Sequence, residues 1–364
     1  MANIPAAAID CDVHPALPGM GVLMPYLEPY WRETFAFRGI DKLDMSLTGD
    51  PRQTPLHARP DWRQPGGDGA ADAPTLARHL LDPFNLRFAV LNCVHAGMAV
   101  FSEDMGAAVC RAANDWIARE WLDRDERLRA AITVPLQGPE LAVAEIERCA
   151  ADRRFVQVLV PVSNDMPLGR RRYWPVWRAA ARHGLPIAVH AGSTYRHAPT
   201  STGWPTYFLE DYVAEAQAFE SALLSLLTEG VFEEIPDLMV VLAESGVSWL
   251  PSFMWRATKT WRGVRAEVPW MNTPPADTVR RHVRLTTQPL DLPDDSGRVR
   301  RFLDQLGGDD MLLFSSDYPH WHFDGDNALS DALPPRVRNR ACIANPLRTY
   351  SRLAPEPAAK GEAA

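Results

Sequence analysis

Residues 9–15 read Ile-Asp-Cys-Asp-Val-His-Pro, an apolar run that ends in two alternating polar side chains. Asp12 and His14 lie two positions apart, so an extended chain directs both side chains to the same side. Carboxylate and imidazole both bind divalent metal ions, and two such groups at alternate strand positions can hold one ion. An Asp-x-His pair is also common on protein surfaces that bind no metal. The rest of the chain must therefore decide whether Asp12 and His14 are ligands.

Apolar runs of this kind recur along the chain and are separated by longer amphipathic stretches. Such alternation is typical of βαβ units that build a parallel sheet. Eight parallel strands close a barrel, so we predict an α/β fold, a distorted (β/α)8 TIM barrel. The eight predicted strands are residues 6–11, 88–93, 129–134, 155–160, 186–190, 238–243, 283–287 and 311–316.

Four stretches between these runs have the spacing of amphipathic helices. The predicted helix over residues 174–183 is followed by Gly184, and the one over residues 209–229 is followed by Gly230. Glycine commonly stands just past a helix C-terminus, which supports both boundaries. The other two predicted helices span residues 103–122 and 139–151.

The connection between the first two predicted strands is abnormally long, about 75 residues against the usual two to six of a βα loop. Its middle, residues 50–75, is rich in Pro, Gly and Asp. The βα loops of a barrel build its active-site face, so we predict that residues 15–86 form an inserted lid over the barrel mouth. A flexible insertion without function is the alternative. We predict a single barrel over residues 1–353 and a disordered tail over residues 354–364.

Composition limits the classes of function. The 364 residues carry a net charge of −8, which argues against nucleic-acid binding because phosphate contacts need a basic surface. The five cysteines are far apart and form no Cys-x-x-Cys pair, so neither a disulfide framework nor a zinc knuckle is predicted. The N-terminus lacks a signal-peptide pattern and no apolar run reaches about 18 residues, so we expect a soluble cytoplasmic protein that does not bind membranes.

Polar residues of metal-binding type follow four of the predicted strands. Asp12 and His14 follow the first strand, His190 ends the fifth, Glu244 follows the sixth and Asp317 the eighth. The carboxyl ends of barrel strands meet at one face, where active sites lie. A carboxylate after an apolar run is costly to bury without a partner. We therefore predict one shared divalent metal site, at which Asp317 would take the proton of an activated water.

Four motifs resemble the amidohydrolase superfamily: IDCDVHP at 9–15, GLPIAVHAG at 184–192, VVLAESGVSWLP at 240–251 and LLFSSDYPH at 312–320. They are similar to the amidohydrolase-related branch that includes 2-amino-3-carboxymuconate-6-semialdehyde decarboxylase, γ-resorcylate decarboxylase and several hydrolases. The resemblance runs from the first strand to about Leu353. It implies a homodimer and one bound Zn²⁺ or Mn²⁺ ion. The metal ligands that it implies are Asp12, His14, His190 and Asp317.

Two positions depart from the family pattern. Many members have a histidine where this chain has Asp12, and the added hard anionic oxygen makes Mn²⁺ a candidate beside Zn²⁺. The family decarboxylases carry a catalytic histidine after the sixth strand, where this chain has Glu244. Glu244 could act as an acid or base, as a further metal ligand, or as the partner of a substrate amine.

The absence of that histidine favours hydrolysis. The predicted function is a metal-dependent hydrolase whose activated water attacks an amide, lactone or related carbonyl of a small cyclic or aromatic carboxylated substrate. The first alternative is a metal-dependent, non-oxidative decarboxylase of an aromatic or enoic acid, with Glu244 or His320 protonating the carbon that loses CO₂. The second alternative is a barrel that binds a ligand without catalysis.

Further polar residues beyond the strand ends are candidate substrate contacts. In the carboxymuconate decarboxylase, an arginine at the spacing of Arg256 binds a substrate carboxylate, although a solvated place on a helix surface suits Arg256 equally well. The histidines and the tyrosine in the βα loops could face the pocket or be ordinary surface or core residues. These candidate substrate-binding residues are His95, Tyr195, His197 and His322.

Overall fold

The computed structural model describes residues 4–41, 58–62, 71–194, 196–320 and 329–354. Within these residues, eight parallel strands form one sheet in chain order, which confirms the predicted barrel. All eight predicted strands overlap an observed one. The strands are β1 (Ile9–Val13), β2 (Phe88–Leu91), β3 (Leu128–Thr133), β4 (Phe155–Ser163), β5 (Ile187–Ser193), β6 (Val240–Ala243), β7 (Val283–Thr286) and β8 (Leu312–Leu313).

The first and last strands meet and complete the barrel. Cys11 donates its backbone N–H to the carbonyl of Phe314 (2.9 Å), and His14 donates its own to the carbonyl of Tyr318 (2.7 Å). A parallel bridge also joins Val13 to Tyr318. Two motifs that are about 300 residues apart in the sequence therefore lie side by side.

The four predicted helices are all present, and none of the helices in the described residues is long and apolar enough to cross a membrane. The α-helices are α1 (Pro29–Arg38), α2 (Ala73–Leu76), α3 (Glu103–Ile117), α4 (Pro139–Cys149), α5 (Trp174–Arg182), α6 (Phe208–Thr228), α7 (Val231–Glu234), α8 (Leu250–Val264), α9 (Pro275–His282), α10 (Ser296–Leu306), α11 (Pro335–Asn339) and α12 (Asn345–Thr349). Short 3-10 or π turns span Met20–Val22, Met24–Tyr26, Pro60–Trp62, Ala77–Leu81, Ala96–Met98, Ala118–Leu122, Arg171–Tyr173, Arg265–Glu267, Arg340–Ala344 and Ser351–Leu353.

Burial on both faces explains why the strands are apolar runs and not alternating patterns. All nine residues of β4 are buried. The helices α5 and α6 end just before Gly184 and Gly230, as predicted. Both glycines have positive φ angles, 63° and 79°. Such left-handed conformations cost a residue with a Cβ much more than glycine.

Parts of the segment over residues 15–86 contact the loop that follows β8. Arg59 donates its backbone N–H to the carbonyl of Pro319 (2.9 Å). The ring of Trp62 lies 4.6 Å from that of Tyr318, and His79 Nδ1 lies 2.8 Å from the Tyr318 hydroxyl. These contacts bring the segment next to the strand ends. Its role as a lid stays a prediction, since residues 42–57 and 63–70 lie outside the described residues, as does the tail from residue 355.

Candidate metal centre

The polar residues at the strand ends come together at one face of the barrel. His14 is central: its Nε2 lies 3.3 Å from Asp12 Oδ1, 3.4 Å from Glu244 Oε1 and 3.0 Å from Asp317 Oδ1. His190 Nε2 lies 3.6 Å from Asp12 Oδ1 and 3.7 Å from Glu244 Oε1. One ligand atom each from Asp12, His14, His190 and Glu244 lies within 4.8 Å of the others, close enough to share one ion.

His320 joins the cluster on its more exposed side. Its Nδ1 lies 2.6 Å from Asp317 Oδ1 and 3.7 Å from Glu244 Oε1. Its ring centroid is 4.7 Å from that of His14. The His320 side chain is 27% exposed, whereas that of Asp317 is fully buried. A molecule that enters the barrel mouth would therefore meet His320 before the buried carboxylates.

Both histidines of the buried part present the same ring nitrogen to the cluster. His14 Nδ1 lies 3.0 Å from the carbonyl oxygen of Asn92, and His190 Nδ1 lies 2.8 Å from that of Ala191. A carbonyl oxygen only accepts hydrogen bonds, so each Nδ1 carries the hydrogen and donates it. Each Nε2 then directs a lone pair at the cluster in the neutral ring, which is the form that binds metal ions.

Several buried atoms of the cluster lack hydrogen bonds, which tests whether the residues fit a metal ion. His14 Nε2, His190 Nε2, Glu244 Oε1 and Asp12 Oδ2 are buried and make none among the described residues. Buried polar atoms are normally paired, so an orphaned set that converges on one point calls for a ligand. Two imidazoles with several carboxylates suit a divalent ion such as Mn²⁺ or Zn²⁺. The residues present therefore fit the predicted metal.

The two carboxylates that follow β6 and β8 stand on strained backbone. Glu244 has φ 58° and Asp317 has φ 55°, in the left-handed region that residues other than glycine seldom adopt. Thr286 Oγ1 accepts the backbone N–H of Glu244 (3.0 Å), and the carbonyl of Asp12 accepts that of Asp317 (3.1 Å). Strain of this kind persists where surrounding contacts enforce it, and it is concentrated at functional sites.

The charges of the cluster favour a bound cation. Burial raises the pKa of Glu244, and the nearby Asp317 raises it further. Burial alone would lower the pKa of His190, but Glu244 and Asp12 raise it to about 9. The pKa of His14 is likewise raised well above its usual range, because Asp12 and Asp317 outweigh the effect of burial. The field that favours protons on these imidazoles favours a divalent cation in the same place.

Two of the predicted substrate-binding residues, His95 and Arg256, lie apart from the cluster in the described part of the chain. His95 is buried, with Nδ1 accepting the backbone N–H of Gly97 (3.1 Å) and Nε2 lying 3.3 Å from Thr133 Oγ1. Both ring nitrogens are engaged inside the protein, and a direct substrate contact of His95 stays a prediction. Arg256 lies on the exposed surface of α8, and no hydrogen bond or ion pair links it to the cluster in the described residues.

The remaining loop candidates stay predictions. His197 Nε2 lies 2.9 Å from the carbonyl oxygen of Asn164, and its Nδ1 lies 3.0 Å from that of Ala198, so its ring holds the loop after β5 in place. Tyr195 and His322 lie outside the described residues.

Three polar residues near the cluster were missed in the sequence. Asn92, directly after β2, donates its side-chain amide to Asp12 Oδ1 (2.7 Å), and Gln157 of β4 donates to Asn92 Oδ1 (2.8 Å). Glu215 of α6 accepts the backbone N–H of Gly192, and burial raises its pKa to about 7. A signal was present for the first two, since both are polar residues within or directly after apolar strands.

Comparison with known proteins identifies the family. The amidohydrolase family model matches residues 9–352, almost the whole barrel, so the chain belongs to the amidohydrolase family. The resemblance of the four strand-end motifs to this family is therefore confirmed, and the family is one of enzymes.

Several proteins that this chain resembles are decarboxylases of aromatic acids. The γ-resorcylate decarboxylase of Rhodococcus jostii (strain RHA1) is 28% identical over 260 residues, which cover 66% of this chain and 75% of that protein. The structure of a dihydroxybenzoic acid decarboxylase from Polaromonas sp. JS666, with bound manganese and the inhibitor 2-nitroresorcinol, has a TM-score of 0.68 at 19% identity and covers 97% of this chain and 99% of its own.

A third relative has the same fold and also holds manganese. The 5-carboxyvanillate decarboxylase of Novosphingobium aromaticivorans DSM 12444, complexed with manganese and 4-hydroxy-3-methoxy-5-nitrobenzoic acid, has a TM-score of 0.69 at 18% identity. The match covers 95% of this chain and 96% of that one. At such low identity the two structures confirm the barrel fold alone.

Proposed function

We propose that this protein is a metal-dependent, non-oxidative decarboxylase of a small aromatic carboxylic acid. Decarboxylation is the first alternative to hydrolysis that the sequence analysis gives, and the activities of the related decarboxylases favour it. The observation that carries the proposal is the cluster itself, in which buried imidazoles and carboxylates converge beside the partly exposed His320.

The metal would be held by Asp12, His14, His190 and Asp317, with Glu244 as a further candidate ligand. Carboxylate oxygens outnumber imidazole nitrogens in this set, and hard oxygen donors suit Mn²⁺ better than softer ligands do. When bound, a divalent ion would attract the substrate carboxylate and withdraw electron density from the ring. The manganese in two related structures supports this choice.

The reaction needs a proton at the carbon that loses CO₂. The carbon–carbon bond breaks, CO₂ leaves without the bonding electrons, and an acid supplies the proton that replaces it. We assign this acid to His320, because its ring is partly exposed and lies beside His14. Asp317 accepts a hydrogen bond from His320 Nδ1 and so orients the ring. His320 would regain its proton from water.

Hydrolysis remains a second candidate because of Glu244. Its carboxylate lies 3.4 Å from His14 Nε2. The resemblance implies a catalytic histidine at the position of Glu244 in the family decarboxylases, and this chain lacks it. In this reaction Asp317 would take the proton of the attacking water and deliver it to the leaving group. The substrate would be an amide or lactone of a small cyclic or aromatic molecule.

One assay separates the two reactions. The Mn²⁺-loaded protein would be incubated with a panel of hydroxylated benzoic acids and, separately, with a panel of aromatic lactones and amides. Our proposal expects CO₂ release from at least one acid, detected by NMR as loss of the carboxyl carbon and gain of a ring proton. Ring opening of a lactone or amide without CO₂ release from any acid would support hydrolysis instead. The homodimer implied by the family resemblance would be checked by light scattering on the same sample.

A further inference from the structure

Asn92 contacts the segment that carries the first two candidate ligands through three different groups. Its backbone N–H donates to the carbonyl of Val13 (2.8 Å), and its own carbonyl accepts from His14 Nδ1 (3.0 Å). Its side-chain amide donates to Asp12 Oδ1 (2.7 Å). Asn92 is fully buried and stands directly after β2, the strand next to β1. One residue on a neighbouring strand therefore touches both members of the Asp12–His14 pair.

The side-chain amide of Asn92 can take only one orientation. Asp12 offers a carboxylate oxygen, which accepts hydrogen bonds, so the amide must turn its NH₂ group toward Asp12. The amide oxygen then faces Gln157, whose Nε2 donates to it (2.8 Å). Gln157 is fully buried in β4. The two amides form a chain of hydrogen bonds in which Gln157 donates to Asn92 and Asn92 donates to Asp12. Because the carboxylate at the end can only accept, it fixes the direction of both bonds.

We infer that Asn92 is a positioning residue that sets the metal affinity of this site by orienting the Asp12 carboxylate, with Gln157 holding the Asn92 amide from behind. This inference rests on the proposed metal site. A hydrogen bond to Oδ1 fixes the rotation of the carboxylate, and Oδ1 is the oxygen that lies 3.3 Å from His14 Nε2 and 3.6 Å from His190 Nε2. The second lone pair of Oδ1 and the whole of Oδ2, which has no hydrogen bond among the described residues, are left for an ion. Partners that orient a ligand in this way are commonly worth about 10- to 100-fold in metal affinity.

The backbone and the side chain of Asn92 have separable roles. The carbonyl that fixes the His14 ring belongs to the backbone and survives any substitution. Asn92→Ala therefore removes the side-chain contacts to Asp12 and Gln157 and keeps the backbone contact to His14. Gln157→Leu removes the donor behind Asn92 at similar volume and acts on Asp12 only through the Asn92 amide.

The test is a titration of the metal-free full chain with Mn²⁺ alone. Binding is monitored by calorimetry or by the loss of the electron paramagnetic resonance signal of the free ion. We expect Asn92→Ala to weaken Mn²⁺ binding by about 10- to 100-fold and Gln157→Leu to weaken it less. The double variant should bind no more weakly than Asn92→Ala, because the hydrogen bonds of the described residues connect Gln157 to Asp12 only through Asn92. Asn114→Ala is the matched control: Asn114 is a buried asparagine that bonds Thr133 and Glu145, and within the described part of the chain it makes no hydrogen bond to a candidate ligand.

Each outcome decides the matter. Weaker binding in Asn92→Ala with unchanged binding in Asn114→Ala supports the inference even if both variants melt at lower temperature. Equal Mn²⁺ affinity in wild type and Asn92→Ala overturns it while leaving the metal site intact, as does additive loss in the double variant. A wild-type chain that takes up no Mn²⁺ overturns the metal site and this inference together.

Discussion

His320 and Asp317 are joined twice. His320 Nδ1 lies 2.6 Å from Asp317 Oδ1, and the backbone N–H of His320 donates to the Asp317 carbonyl (2.8 Å). The carboxylate is fully buried, while the imidazole is partly exposed at the mouth of the barrel. The pair therefore connects the buried charges of the cluster to the space that a substrate would enter.

This pairing predicts the effect of removing the proposed acid. His320→Gln keeps a polar side chain but cannot deliver a proton, so we expect CO₂ release to fall by about 10²-fold or more, in the range of general-acid catalysis. Mn²⁺ content should stay near the wild-type value. His183→Gln is the control, because His183 pairs with Glu147 on the outer surface. Full activity of His320→Gln would exclude His320 as the acid.

A second prediction concerns the metal itself. His190→Ala removes a buried imidazole whose Nε2 lies among the carboxylates, so the chain should lose bound Mn²⁺ on dialysis and with it all activity. Metal content by plasma mass spectrometry and the assay for CO₂ would be measured on the same sample, with His183→Ala as control. A metal-free but fully active His190→Ala enzyme would contradict the proposed mechanism.

A third prediction uses Glu244 to separate its roles. Glu244→Gln keeps the size of the side chain and removes its charge. If Glu244 is a ligand, Mn²⁺ affinity and turnover should both fall, by about tenfold or more. If Glu244 serves in acid–base chemistry alone, turnover should fall while affinity holds. Mn²⁺ titration and single-turnover kinetics distinguish the two, and no change in either would assign Glu244 to structure only.

The sequence allowed the barrel and the cluster to be predicted for one physical reason. Parallel strands buried on both faces are continuous apolar runs, and a charged residue directly after such a run stands out. This pattern allowed Asp12, His190 and Asp317 to be predicted as candidate ligands. β8 was predicted over residues 311–316, but the strand spans only Leu312–Leu313. The residues after it bond to β1 instead: the Phe314 carbonyl accepts the N–H of Cys11, and Ser316 donates its N–H to the Asp10 side chain.

Side-chain direction was the part that sequence could not supply. Asn92 and Gln157 are polar residues in apolar strands, but their contacts join positions 80 and 65 residues apart. Nothing in the local pattern reports such partners. The same holds for His95, which follows β2 closely: the local pattern does not show that its ring lies against Thr133.

The buried position of His95 predicts how stability depends on pH. Burial lowers its pKa from 6.5 to about 4, so between these values the unfolded chain binds a proton that the folded chain does not. The contribution of His95 to the free energy of unfolding is therefore fully present above pH 6.5. It is lost as the pH falls toward 4, by about 3 kcal/mol in total. His95→Asn keeps an acceptor for the Gly97 N–H and does not titrate. Urea unfolding of both metal-free proteins from pH 7 to pH 4 should show a steeper loss for wild type, and parallel curves would mean that His95 is not neutral and buried.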